Sequence, residues 1–193
     1  MKKFIFIAAF FLVPTCVFGG QYAGFQAGTD YRIQTDASNS GQKVGYKAGV
    51  LYGYDFGNNV RTEAEISYRE AHKRTQYVES HEDQISFKRF DSHHAWSYMA
   101  NLCYDLSSLS AYSLTPYLGL GVGYSQNVEH RKIQASKWSN TEKLRDSNFA
   151  YQGLVGLSYD VTTALKARAQ YCYHIAGPHS KNHAVTAALV KAF

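Results

Sequence analysis

The chain is poor in the parts from which most folds and active sites are built. Its 193 residues include three cysteines, three prolines and two tryptophans. So few cysteines exclude a disulfide-stapled scaffold. After residue 20 no apolar run approaches the roughly twenty residues of a helical membrane span. Helical periodicity is nowhere convincing, which excludes a helix bundle or an alternating α/β chain. No reaction motif stands out, and the eight histidines show no spacing that would gather three or four metal ligands.

What is abundant is glycine and tyrosine, fifteen and sixteen residues, and they are patterned. Residues 115–124 read Thr-Pro-Tyr-Leu-Gly-Leu-Gly-Val-Gly-Tyr. Leu118, Leu120, Val122 and Tyr124 alternate with Gly119, Gly121 and Gly123, a period of two that marks a strand. One face is apolar and ends in an aromatic ring. The other carries almost no side chain, which suits the wall of a narrow closed barrel.

Before the strands, residues 1–3 are positively charged, residues 4–13 are apolar and residues 14–20 are mainly small or neutral. That order predicts a secretory signal peptide over residues 1–19, cut after Gly19. Residues 20–193 remain as one domain. Cys103 and Cys172 then enter an oxidising compartment, where a bridge is chemically allowed. Their unequal positions along their strands disfavour it.

Eight strand segments follow, at 22–33, 43–54, 60–69, 93–106, 116–125, 148–160, 164–175 and 183–193. The connections alternate in length: 55–59, 107–115 and 161–163 are short, whereas 70–92 and 126–147 are long and charged. Each strand sorts its residues by face. Val60, Ala64, Ile66 and Tyr68 oppose Arg61, Glu63, Glu65, Ser67 and Arg69. Leu165, Ala167, Ala169, Tyr171 and Tyr173 oppose Lys166, Arg168, Gln170, Cys172 and His174.

A soluble barrel would bury the apolar face, but the aromatics argue for lipid outside. With up-and-down strands, Tyr31, Tyr46, Tyr68, Trp96, Tyr98, Tyr124, Phe149, Tyr151, Tyr171 and Tyr173 form one belt. Phe25, Tyr52, Tyr54, Tyr104, Tyr159 and Phe193 form the other. Two belts with aliphatic residues between them match the girdles of a membrane barrel. The predicted fold is therefore all-β, an eight-stranded antiparallel up-and-down transmembrane β-barrel.

Residues 116–124, the segment Tyr-Gln-Gly-Leu-Val-Gly-Leu-Ser-Tyr-Asp at 151–160 and the final Phe193 make the mature chain resemble the small OmpA-like and opacity-protein-like outer-membrane barrels. The resemblance implies a Gram-negative outer membrane. It also implies Phe193 as a signal read by the barrel-assembly machinery. Ala188 and Lys191 depart from the usual ending.

Eight strands leave a bore just wide enough for side chains. It would receive the charges Lys47, Arg61, Glu63, Glu65, Arg69, Lys166 and Arg168, with Arg32, Asp105 and Asp160, which must pair there. A plugged lumen argues against a general pore. Enzymes occur on similar barrels, and His179-Ser180 invites that comparison, yet the last loop offers no carboxylate to orient the imidazole. The chain is read as a non-enzyme, free of cofactors and metals, with no nucleic-acid partner.

The long loops are the more promising region. Residues 70–92 and 126–147 are expected to extend the neighbouring strands beyond the membrane. The second carries Arg131, Lys132, Lys137, Lys143 and Arg145 against Glu129, Glu142 and Asp146, with Trp138 among them. A basic surface bearing an aromatic ring suits a sulfated glycan, lipopolysaccharide phosphates or an acidic host protein. Two roles remain: a surface adhesin similar to opacity-type proteins, or an envelope barrel contacting lipopolysaccharide without a dedicated ligand.

Overall fold

The computed structural model describes residues 20–33, 43–78, 86–134, 139–177 and 180–193. The predicted signal peptide, the turn near 80–83, and Lys137, Trp138 and His179 lie outside the described residues. Eight strands run in chain order: β1 (Gly20–Ile33), β2 (Lys43–Asp55), β3 (Val60–Val78), β4 (Ser86–Asp105), β5 (Leu114–Gln134), β6 (Ser139–Asp160), β7 (Leu165–Ala176) and β8 (Lys181–Ala192). Every neighbour pair is antiparallel, and β1 pairs with β8 to close the barrel. Among the described residues the strands are paired on both sides through the wall, as a lipid environment requires, whereas β3 beyond Ala71 and β6 before Ala150 are paired on one side only.

Gly20, Phe193 and the three short turns lie at one end. In the β2–β3 turn, Gly57 and Asn59 adopt positive φ, and the Gly57 amide donates to Asp55 Oδ1 at 2.8 Å. The other end is taller. Strands β3 to β6 have 19 to 22 residues, against 12 to 14 in the remaining four. About ten residues suffice to span the hydrocarbon, so the β3–β4 and β5–β6 hairpins continue well past it. Within the segments 70–92 and 126–147, the described residues 70–78, 86–92, 126–134 and 139–147 therefore continue the strands, as expected of them.

The pleat puts apolar side chains outside and polar ones inside. Phe25, Val50, Leu102, Leu118, Leu120, Val122 and Val155 are exposed on the wall, whereas Lys47, Arg61, Glu65 and Arg69 are buried in the bore. The aromatics Tyr46 and Tyr54, Trp96 and Tyr104, and Tyr151 and Tyr159 each stand eight positions apart on one strand. Eight residues cover about 26 Å along a strand, or about 20 Å along the axis at the usual tilt. That spacing fits the apolar band of a membrane barrel.

The glycine face of β5 leaves room for its neighbours. A Cβ on Gly119 would stand 2.8 Å from Cys103 Sγ, and one on Gly121 would stand 2.0 Å from Asn101 Oδ1. Gly123 yields space to Met99 in the same way. Glycines on one strand are thus the condition for full side chains on β4 and β6. Cys103 and Cys172 pack with Leu154 and Ala184 in one buried cluster, and both are free thiols.

Candidate functional site

The bore is filled by ion pairs in three tiers. At the terminal end Glu63 Oε1 lies 2.7 Å from Arg168 Nη1 and 3.5 Å from Arg61 Nε, and it accepts the Tyr22 hydroxyl at 2.7 Å. Arg61 also meets Asp105 at 3.2 Å, and its guanidinium lies 4.2 Å from the centre of the Tyr117 ring. At mid-height Lys47 Nζ lies 2.8 Å from Glu65 Oε1. Gln152 donates to Glu65 Oε2 at 3.1 Å and to Asn101 Oδ1 at 2.8 Å. Nearer the tall end Arg69 Nη1 donates to Ser97 Oγ at 2.7 Å, and its Nε lies 3.5 Å from Asp30 Oδ1. Oppositely charged groups in a water-poor bore must pair, because an unpaired buried charge costs several kcal/mol.

Lys166 stands apart from these tiers. Its side chain is 41% exposed and pairs with Asp160, itself 50% exposed, at 3.3 Å. The two face each other on the last rung before the β6–β7 turn, where water reaches both. Together with Tyr22, Asp55, Arg61, Asp105 and Arg168, Lys166 lines a pocket of about 180 Å³ at the terminal mouth. Its lining includes Arg61 and Arg168, the two cationic partners of Glu63.

The basic segment forms the upper β5–β6 ladder. Its register sets Val128 opposite Arg145, His130 opposite Lys143, Arg131 opposite Glu142 and Lys132 opposite Thr141. Four predicted ligand residues, Arg131, Lys132, Lys143 and Arg145, thus fall within five consecutive rungs. That is about 13 Å of strand at 3.3 Å per residue. Lys137 and Trp138 lie outside the described residues. Phe193 follows β8, with its amide donating to the Gln21 carbonyl at 3.0 Å and its ring exposed.

A second polar cluster lies on the outside of the wall, just beyond the upper aromatic belt. The register puts Tyr46, Glu70 and His94 in one row across β2, β3 and β4, with Tyr68 and Trp96 in the belt beside them. Tyr46 donates to Glu70, and the Tyr68 hydroxyl lies 3.0 Å from Glu70 Oε2 and 2.7 Å from His94 Nδ1. His94 Nδ1 stands 3.5 Å from Glu70 Oε1, and Ser92 Oγ lies 2.9 Å from His94 Nε2. Sequence reasoning missed this group. Ser92 and His94 share a face by their spacing of two, but only the β3–β4 register brings Glu70 alongside. His93, the residue between them, points into the bore and is buried.

Residues 5–193 match the family described as the outer membrane protein beta-barrel domain. The chain belongs to that family. It is a Gram-negative outer-membrane barrel, so the terminal end is periplasmic and the tall end is extracellular. An outer membrane protein of Gluconacetobacter diazotrophicus is 36% identical over 140 residues, covering 66% of this chain and 35% of that protein. An uncharacterized protein of Brucella abortus is 32% identical over 149 residues, covering 68% of this chain and 51% of its own length. The chain thus spans only about a third to a half of these relatives.

Two solved outer-membrane barrels have the same fold. Neisserial surface protein A aligns with a TM-score of 0.58 at 18% identity, over 90% of this chain and 97% of that one. The attachment invasion locus protein Ail of Yersinia pestis, in complex with the heparin analogue sucrose octasulfate, aligns with a TM-score of 0.53 at 15% identity, over 91% and 99%. At such identities the likeness is one of architecture.

Proposed function

We propose that this outer-membrane protein is a surface-binding, adhesion-type barrel that acts through its extended β5–β6 hairpin. One observation carries the reading: four cations are collected on five rungs of a ladder that projects beyond the membrane. A β-ladder holds its charges at fixed spacing, so a polyanion of regular repeat can meet several of them at once. Sulfated glycans have that form. Ail, a barrel of the same fold, has been solved with a heparin analogue, which supports this class of ligand without identifying the residues used here. The second reading is an envelope barrel whose cations bridge lipopolysaccharide phosphates. Its support is the placement of the same segment directly above the outer aromatic belt. In both readings Phe193 serves as the signal for the barrel-assembly machinery.

The two separate in a binding assay. Refolded protein is passed over immobilised heparan sulfate and, in parallel, over lipopolysaccharide, with salt varied at neutral pH. Glycan binding that weakens steeply with salt, and that is lost when Arg131, Lys132, Lys137 and Trp138 are changed together to Ser, is the expected result. The variant should retain the heat-modifiable gel mobility of a folded barrel. Binding to lipopolysaccharide alone favours the envelope role, and glycan binding that survives the four substitutions rejects this hairpin as the site.

A further inference from the structure

We infer that the polyanion site is one face of a four-stranded sheet, a track of five cations laid across β3 to β6 for a linear sulfated glycan taken from the medium. The five are Arg74, Lys88, Lys132, Lys143 and Arg145. The inference rests on the reading of the β5–β6 hairpin as a glycan-binding element. It extends the site onto β3 and β4, where no ligand residue was expected from the sequence.

Register and parity build the track. Beyond the outer aromatic belt the β3–β4, β4–β5 and β5–β6 ladders run on without a break in register among the described residues, so each position keeps the face it would have in the membrane. Tyr68, Trp96, Tyr124 and Phe149 mark the outer face on their four strands. Arg145 is four residues beyond Phe149, Arg74 and Lys143 are six beyond Tyr68 and Phe149, and Lys88 and Lys132 are eight beyond Trp96 and Tyr124. All five therefore share the belt's face, whereas Arg131 falls on the other. Lys88 pairs with Gln76 and Gln134, which are two positions from Arg74 and Lys132, and Lys143 pairs with His130, two positions from Lys132. Each step along the track is then about 7 Å.

The opposite face is built differently. Lys73, Asp91, Arg131 and Glu142 form one row across the four strands, with the sign of charge alternating at every step. Opposite charges on neighbouring strands stabilise a sheet, and like charges there destabilise it. The row helps to hold the projection together, whereas the track repels itself until an external anion meets it. Among the described residues of the outer face of β3 to β6 above the belt, the one carboxylate is Glu70. It accepts the Tyr46 and Tyr68 hydroxyls in the row nearest the belt, away from the upper cations.

Height selects the ligand. Four, six and eight residues beyond the belt correspond to about 10, 15 and 20 Å along the membrane normal at ordinary strand rise and tilt. Girdle rings sit at headgroup level, so the track stands in water above the lipid phosphates and is open to a chain arriving from outside. Cations strung out at such spacing are met together only by a chain that carries many anions, because a lone phosphate reaches one or two of them. A sulfated polysaccharide has that form.

The test compares neighbours of equal charge on opposite faces. The full mature chain is refolded in detergent micelles, and its binding to immobilised heparan sulfate is measured for three proteins. These are wild type, the outer-face pair Arg74→Ser with Lys88→Ser, and the inner-face pair Lys73→Ser with Arg89→Ser. Each pair removes the same charge from adjacent positions of the same strands. The outer-face pair should raise Kd about tenfold, the loss expected for a pair of exposed ionic contacts, and the inner-face pair less than about twofold. Lys132→Ser against Arg131→Ser repeats the comparison on β5, and retained heat-modifiable mobility verifies each fold. Equal weakening by the outer and inner changes means that net charge alone sets the affinity, and overturns the track. Weakening by neither pair, with binding still lost in the four-residue hairpin variant, confines the site to β5–β6 and overturns the track while leaving the binding role intact. Wild-type protein that binds no heparan sulfate rejects the binding role and the track together.

Discussion

Changing Leu120 to Arg is expected to destabilise the folded barrel in lipid by about 2 to 4 kcal/mol, the cost of a lipid-facing arginine at the bilayer midplane. Leu120 is 74% exposed on the outer wall of β5, four residues below Tyr124 and opposite Leu102 and Gly153 on its two neighbours. Its surroundings are therefore hydrocarbon in every direction. Four residues are about 13 Å of strand, too far for a guanidinium to snorkel fully to headgroup level. The same change at Ala167, opposite Tyr159 in the periplasmic girdle, should cost only about 0 to 1 kcal/mol. Equilibrium unfolding of both variants in urea, refolded from lipid vesicles, measures the difference. A depth-independent cost would mean that the wall does not face a membrane.

Removing Glu63 should be comparably damaging from the inside. Glu63→Ala takes the partner from Arg168 at 2.7 Å and one of two partners from Arg61, which keeps Asp105. Breaking a buried pair from one side typically costs about 3 to 5 kcal/mol. The retained Asp105 contact puts this variant near 3 kcal/mol, about the lower end of that range. The double change Glu63→Leu with Arg168→Leu removes both charges of the pair and should recover much of the loss, since an apolar replacement of a buried pair is often near neutral. Urea midpoints of the single and double variants decide this. A single variant as stable as wild type would show that water reaches Arg168 and that the bore is not plugged at this tier.

How far the sequence reveals this molecule depends on which part is read. Within the bilayer the environment differs sharply between the two faces, so a period of two is written strongly into residues such as 60–69 and 116–125. The inside-outside assignment of Lys47, Arg61, Glu65 and Leu120 follows from it. Above the membrane both faces meet water. Residues 70–92 therefore carry little contrast, and strands that continue to Val78 and from Ser86 could be anticipated only as extensions without bounds. The parity that sends Lys166 inward says nothing of its height, and its closeness to the turn leaves it half in water. The outward cluster was hidden for a different reason. Glu70 and His94 are 24 positions apart and meet only because one particular register pairs them, whereas His179-Ser180 attracted notice by adjacency, which is poor geometry for a hydrogen-bonded pair.

The aromatic face of this barrel looks into lipid, and Trp96, exposed on the outer wall, reports on it. The chain has two tryptophans, so Trp138→Phe leaves Trp96 as the sole tryptophan, excited selectively over the tyrosines. In vesicles of brominated phosphatidylcholine its emission should be quenched, and more strongly by bromine near the top of the acyl chain than by bromine near its end. Emission unaffected by bromine at either depth would place the ring inside a protein core and rule out a lipid-facing wall.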